Sequence, residues 1–114
     1  MKIIVKPWGK EELIEHNSRY VLKKLFMKKG HRCSLQYHEK KHETIYVLKG
    51  KLKIFHGETV DKLSQKIYLA NETISLEPGL IHRMEAVEDS IYLEASTPEL
   101  DDVVRISDDY LRKD

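Results

Sequence analysis

Five residues of this chain have the types and spacing needed to hold a cation. Gln36, His38, His42 and Glu43 crowd one short stretch, and His82 stands far downstream. In an extended strand Gln36 and His38 project from the same face, because successive side chains alternate. Residues 39–42 read as a polar turn, and Glu43 opens the next run of β-formers, ETIYVL. Paired as a hairpin, the two strands bring Glu43 back beside His38. An amide oxygen, an imidazole and a carboxylate then converge. That donor set suits one borderline or hard divalent ion, zinc foremost, with manganese, iron, cobalt and nickel also compatible. A fourth ligand has to come from elsewhere. His82 is the best candidate, because it follows the Pro78-Gly79 turn, where a chain can re-enter a barrel.

The elements that must position these residues are short. Segments 19–27, 32–38, 43–48, 52–55, 66–69, 72–76, 83–87 and 91–95 are rich in β-branched and aromatic residues, and turn residues separate them. Strands recurring every 8–12 residues or so argue for an antiparallel sandwich or barrel. Residues 8–16 read as one helical turn or an irregular arm. Residues 107–112 read as a short terminal helix, with Ser107 as its N-cap and acids in its first turn. Pro7, Pro78 and Pro98 all sit at segment edges, where strands tolerate them.

Composition bounds the function classes. The 114 residues make one domain, 1–114, with 40% hydrophobic residues for a core. Twenty basic residues face nineteen acidic ones, so a net charge of +1 argues against bulk attraction to nucleic acid or membrane. The basic pairs at 23–24, 28–29 and 40–41 read as solvated faces. The lone Cys33 forms no internal disulfide, reads as a buried thiol, and fits a cytoplasmic setting. The first apolar run ends at Val5, too short for a signal peptide or a membrane span.

Residues 30–50, GHRCSLQYHEKKHETIYVLKG, resemble the first cupin motif, with glycine at each end and histidine then glutamate between. Residues 72–82, ETISLEPGLIH, resemble the second. PWGKEE at 7–12, SLQYH at 34–38, PGLIHR at 78–83 and DDVVRISDDYLR at 101–112 are similar to the C-terminal isomerase domain of type II mannose-6-phosphate isomerases. The resemblance implies an all-β, double-stranded β-helix barrel of the RmlC-like jelly-roll kind. It implies metal ligands at Gln36, His38, Glu43 and His82, with Gln36 replacing the second histidine that a standard cupin would carry at the position of Lys40. It also implies a phosphosugar substrate, mannose-6-phosphate interconverting with fructose-6-phosphate. The chain departs from the family at Glu39 and Lys40, where a histidine run is common, and at Leu111, where glycine is frequent. His42 falls outside both motifs. No nucleotidyltransferase half accompanies the domain, so guanylyl transfer is not expected of it. Two other readings share the fold: a non-catalytic cupin that binds sugar phosphate, and a metal-dependent dioxygenase using His38, Glu43 and His82.

Aldose–ketose isomerisation moves a proton between neighbouring carbons through an enediolate. It needs stabilisation of charge on oxygen and a base whose pKa lies near the working pH. Glu94 is the candidate base, on the strand face opposite Ile91, Leu93 and Ala95; a solvent-facing charge is its plain alternative. Arg83, next to His82, is assigned both to the catalytic set and to the substrate phosphate, with Arg32, Lys53 and Arg105 as further phosphate cations. Trp8, Tyr37, Tyr46 and Tyr92 read as packing residues rather than sugar-stacking ones. A homodimer is expected, with the arm through PWG covering or exchanging across β-edges.

Overall fold

Side chains that alternate between buried and exposed turn most of these runs into strands. The structure, a computed structural model, describes residues 1–112, and within them there are eleven strands and no helix. In chain order these are β1 (Lys2–Lys6), β2 (Gly9–His16), β3 (Val21–Met27), β4 (Leu35–Tyr37), β5 (Glu43–Lys49), β6 (Leu52–Gly57), β7 (Ser64–Tyr68), β8 (Thr73–Leu76), β9 (Ile81–Ala86), β10 (Ser90–Ser96) and β11 (Val104–Ser107). One sheet runs β1-β2-β3-β10-β5-β8 and the other β11-β4-β9-β6-β7, with antiparallel pairing throughout. This is the expected all-β jelly-roll barrel. No helix among the described residues is long and apolar enough to cross a membrane.

The core lies between the sheets. Ile45 and Val47 of β5, Leu52 and Ile54 of β6, Leu76 of β8, Met84 and Ala86 of β9 and Tyr92 of β10 are all buried there, together with Trp8. The turns that close the strands have identifiable causes. Gly50 links β5 to β6 at a φ of 94°, and a Cβ there would strike the Asp89 carbonyl oxygen. Gly79 sits at φ 86°, as the Pro-Gly turn requires, and its N–H donates to the carbonyl of His38 at 2.7 Å. The two motifs identified in the sequence are thus joined by a backbone bond.

Three elements differ from expectation. Within residues 8–16, Gly9–His16 form β2 rather than a helical turn, because pairing with β1 on one side and β3 on the other overrides their weak local preference. The apolar run at the N-terminus is itself strand β1. Residues 107–112 form no helix: Ser107 ends β11, and Leu111 stands in the left-handed region at φ 56°. A left-handed residue cannot continue a helix, and glycine adopts that conformation without strain.

Candidate metal centre

Strand alternation and pairing assemble the site. β5 points Glu43, Ile45 and Val47 inward, while β9 points His82, Met84 and Ala86 inward. Gln36 of β4 lies opposite His82 in register. His38 follows β4 directly, and the chain returns through residues 39–42 to place Glu43 beside it. The Oε1 atom of Glu43 is 3.0 Å from His82 Nε2 and 3.5 Å from His38 Nε2. The three side chains are almost wholly buried, and their ligand atoms all lie within 4.8 Å of one another.

The hydrogen bonds around this trio decide what it can hold. The Nδ1 of His38 meets the carbonyl of Asp102, and the Nδ1 of His82 meets the carbonyl of Leu80 at 3.0 Å. Each carbonyl accepts the ring N–H, so a neutral imidazole turns the lone pair of Nε2 inward. Both Nε2 atoms and both Glu43 oxygens are buried without a hydrogen-bond partner among the described residues. Converging acceptors that leave no donor between them are unfavourable unless a cation joins them. Two imidazoles and a carboxylate fit a divalent ion of the zinc, manganese or iron type. Gln36 reaches the wall of the same cavity, with its Oε1 accepting from Ser34 Oγ at 3.0 Å.

Beside the trio opens a cavity of about 400 Å³. Glu94 and Lys41 line it and are buried. Glu94 does lie opposite Ile91, Leu93 and Ala95, but it is the face with Ser90, Tyr92, Glu94 and Ser96 that turns inward, while Ile91 and Leu93 are half-buried and Ala95 is exposed. Lys41 is not part of a solvated pair: it stands two residues before Glu43, on the same inward phase. Its Nζ is 3.4 Å from Glu43 Oε2 and 3.4 Å from Glu94 Oε2. Burial acts against the Lys41 charge, but the two carboxylates raise its pKa above the ordinary value. Burial, then the nearby Glu43 charge, raise the pKa of Glu94, although Lys41 pulls it down.

The other sequence-derived candidates fall in different places. Arg105 of β11 lies opposite Gln36 and lines the cavity. Arg83 points to the outer side of β9, as alternation beside an inward His82 demands. Its guanidinium donates to the Cys33 carbonyl at 3.1 and 3.0 Å and meets Asp109 at 3.5 Å. Arg32 is tied to Asp109 at 2.6 Å, and Lys53 lies over the Phe55 ring; neither lines the cavity. His42 is exposed and outside the cluster. Trp8 and Tyr92 belong to the core and also border the cavity. The reading of Lys41 as a surface charge hid a site residue, and its even spacing from Glu43 was the available clue.

Comparison with known proteins bears on the family and the fold. The sequence profile of a family described as "Mannose-6-phosphate isomerase C-terminal" matches residues 1–108. The chain is 32% identical over 96% of its length to a mannose-1-phosphate guanylyltransferase of Escherichia coli K12, and it spans 23% of that protein. It therefore spans about a quarter of the curated relatives it matches. Among solved structures, an RmlC-like cupin from Shewanella frigidimarina superposes with a TM-score of 0.75 at 19% identity, covering 88% of this chain and 86% of that one. A Bacillus subtilis oxalate decarboxylase, described by its Mn(II) centres, superposes with a TM-score of 0.79 at 17% identity over 93% of this chain and 30% of that one. At such identities the likeness speaks for the fold.

Proposed function

Because this chain belongs to the mannose-6-phosphate isomerase C-terminal family, we propose that it is a metal-dependent phosphosugar isomerase interconverting mannose-6-phosphate and fructose-6-phosphate. The observation that carries the reading is the buried trio of His38, Glu43 and His82, of which His38 lines a cavity shared with a buried carboxylate, Glu94. His38, Glu43 and His82, with Gln36 as fourth ligand, would hold the divalent ion, which would supply Lewis-acid polarisation of the sugar oxygens.

The chain's own residues do the rest. Glu94 takes the proton from one sugar carbon and returns it to the neighbour. Burial lifts its pKa toward the working range, and that is what a base of this kind needs. Lys41 holds the Glu94 carboxylate in one orientation, so the proton is lifted from a fixed direction. The wall also suits an anion. Lys6, Lys23, Lys41, Arg105 and Arg112 face it, against Glu11, Glu94, Asp101 and the adjoining Glu43. Arg105 takes the phosphate in place of Arg83, Arg32 and Lys53, whose side chains are directed elsewhere. The cavity volume lies within the range usual for small-molecule sites.

The test is direct: load the protein separately with zinc, manganese, iron, cobalt and nickel, add mannose-6-phosphate, and follow fructose-6-phosphate. Absence of turnover with every metal rejects the isomerase. Ligand-induced stabilisation without turnover would leave a binding cupin. A dioxygenase is the second reading, favoured by the Ser34 bond to Gln36, which leaves two histidines and one carboxylate as the ligand set. Oxygen consumption separates it. The same proposal includes a homodimer through the β1 edge, where Ile3 and Val5 are 55% and 84% exposed. Sedimentation of wild type against Val5→Lys tests it, and a monomeric wild type removes it.

A further inference from the structure

The loop between two of the ligands is held from far along the chain. Residues 39–42 connect His38 to Glu43, and Glu39 and Lys40 are exposed, so the loop has little core packing to shape it. Its shape comes instead from hydrogen bonds to the arm at 97–102. The carboxylate of Asp102 accepts the backbone N–H of Glu39 at 2.9 Å, of Lys40 at 2.7 Å and of Lys41 at 2.8 Å. Thr97 Oγ1 accepts the next one, from His42, at 3.0 Å. The carbonyl of Asp102 meets Nδ1 of His38. One residue thus clamps the loop with its side chain and orients a ligand with its backbone.

We infer that Asp102 is a positioning residue for the metal centre: it sets the separation of His38 from Glu43, seats Lys41 between its two carboxylates, and holds His38 in the tautomer that turns Nε2 inward. The inference rests on the metal reading of the His38, Glu43 and His82 trio. Successive backbone N–H groups turned onto one carboxylate form a concave anion site, and here the anion belongs to the protein. Without it, residues 39–41 regain backbone freedom, and the ligand pair is assembled only part of the time. Apparent metal affinity falls by that fraction.

Asp102→Ala removes the clamp, and Asp102→Asn keeps the shape and one acceptor oxygen. Asp109→Asn is the control: it loosens the same terminal segment where it grips Arg32 and Arg83, neither of which lines the cavity. Manganese affinity, thermal midpoint in chelator, and the nitrogen-15 pattern of the His38 ring in the chelated protein are measured for each. Outer-shell partners of this kind are worth about 10–100-fold in affinity. Asp102→Ala is expected to weaken manganese binding by about that factor and to blur the single His38 tautomer, with Asp102→Asn between it and wild type. Asp109→Asn should bind within about twofold of wild type even if its midpoint falls. If Asp102→Ala does not fold, Asp102→Asn carries the same comparison. Unchanged affinity and tautomer in the Asp102 variants, or equal weakening in Asp109→Asn, overturns the inference. A wild type that takes up no manganese or zinc overturns the metal reading, and this inference falls with it.

Discussion

Replacing Glu43 by glutamine should reverse the order of stability between metal-free and metal-loaded protein. In chelator at pH 8, where free imidazole is neutral, the two inward ring nitrogens and Glu43 Oε1 face one another with no donor between them, while Lys41 meets the other oxygen, Oε2. His82 Nε2 and His38 Nε2 lie 3.0 and 3.5 Å from Glu43 Oε1, and none of these atoms has a hydrogen-bond partner. A glutamine amide of nearly the same shape puts N–H donors where the carboxylate oxygen now faces the rings. Each buried acceptor that gains a partner recovers about 1–3 kcal/mol. Lys41 loses one of its two carboxylates, which offsets part of the gain, but Glu94 remains beside it. The net is about 2 kcal/mol in favour of the variant, and that moves the melting temperature of a domain this size by about 8 °C.

In excess metal the order inverts. At a free ion concentration of about a hundred times Kd, wild type gains about 2.7 kcal/mol. A neutral amide is a far poorer ligand than a carboxylate, so Glu43→Gln should gain little. The assay is thermal unfolding of both proteins, in chelator and with manganese or zinc. A general packing role for Glu43 predicts a less stable variant in both conditions. The reasoning is refuted if Glu43→Gln melts below wild type in chelator, or if it keeps the full metal-induced shift.

Glu94→Gln should lower the kcat of the proposed isomerisation by about a hundredfold or more while leaving metal affinity near wild type; steady-state kinetics with a metal titration checks both. Burial pushes the Cys33 thiol up to about 11, and its sulfur accepts the Met84 N–H at 3.2 Å, so the native protein should resist thiol reagents at pH 8 and react only on unfolding. Burial acts to raise the pKa of Glu11, but Lys23 and Lys6 outweigh it and hold the carboxyl below its ordinary value. A lowered folded-state pKa adds stability that is present above the unfolded value, about 4.3, and is lost as pH falls through the folded one. The excess stability of wild type over Glu11→Gln, read from urea midpoints, should therefore shrink below about pH 4.3; a gap that stays constant down to pH 2 would count against the pairing with Lys23 and Lys6.

The segments at 43–48, 52–55 and 91–95 were readable as strands because β-branched and aromatic residues recur there between turn residues, and β5, β6 and β10 cover them. β2 was not readable, since GKEELIEH has weak local preference and becomes a strand through its two neighbours. Glu94 illustrates the limit at the level of side chains. Alternation correctly set it opposite Ile91, Leu93 and Ala95, yet hydropathy alone would have buried the apolar face. Only the closing of the two sheets on each other makes the face of Tyr92 and Glu94 the inner one, where a cavity and Lys41 receive Glu94.

What the sequence determined by itself was the period and the punctuation. A two-residue repeat settles which side chains share a face, and Pro78-Gly79 and Lys49-Gly50 settle where the chain turns. From these, Gln36 with His38 and the place of Glu43 follow. The tertiary structure decided what no local pattern carries: which face is buried, and which residues distant in the chain meet. Lys41 became a buried cation and Asp102 a clamp on the ligand loop because strand pairing across the barrel brings 97–102 against 39–42. Arg83 was turned away from the cavity because adjacent residues on a strand cannot face the same side.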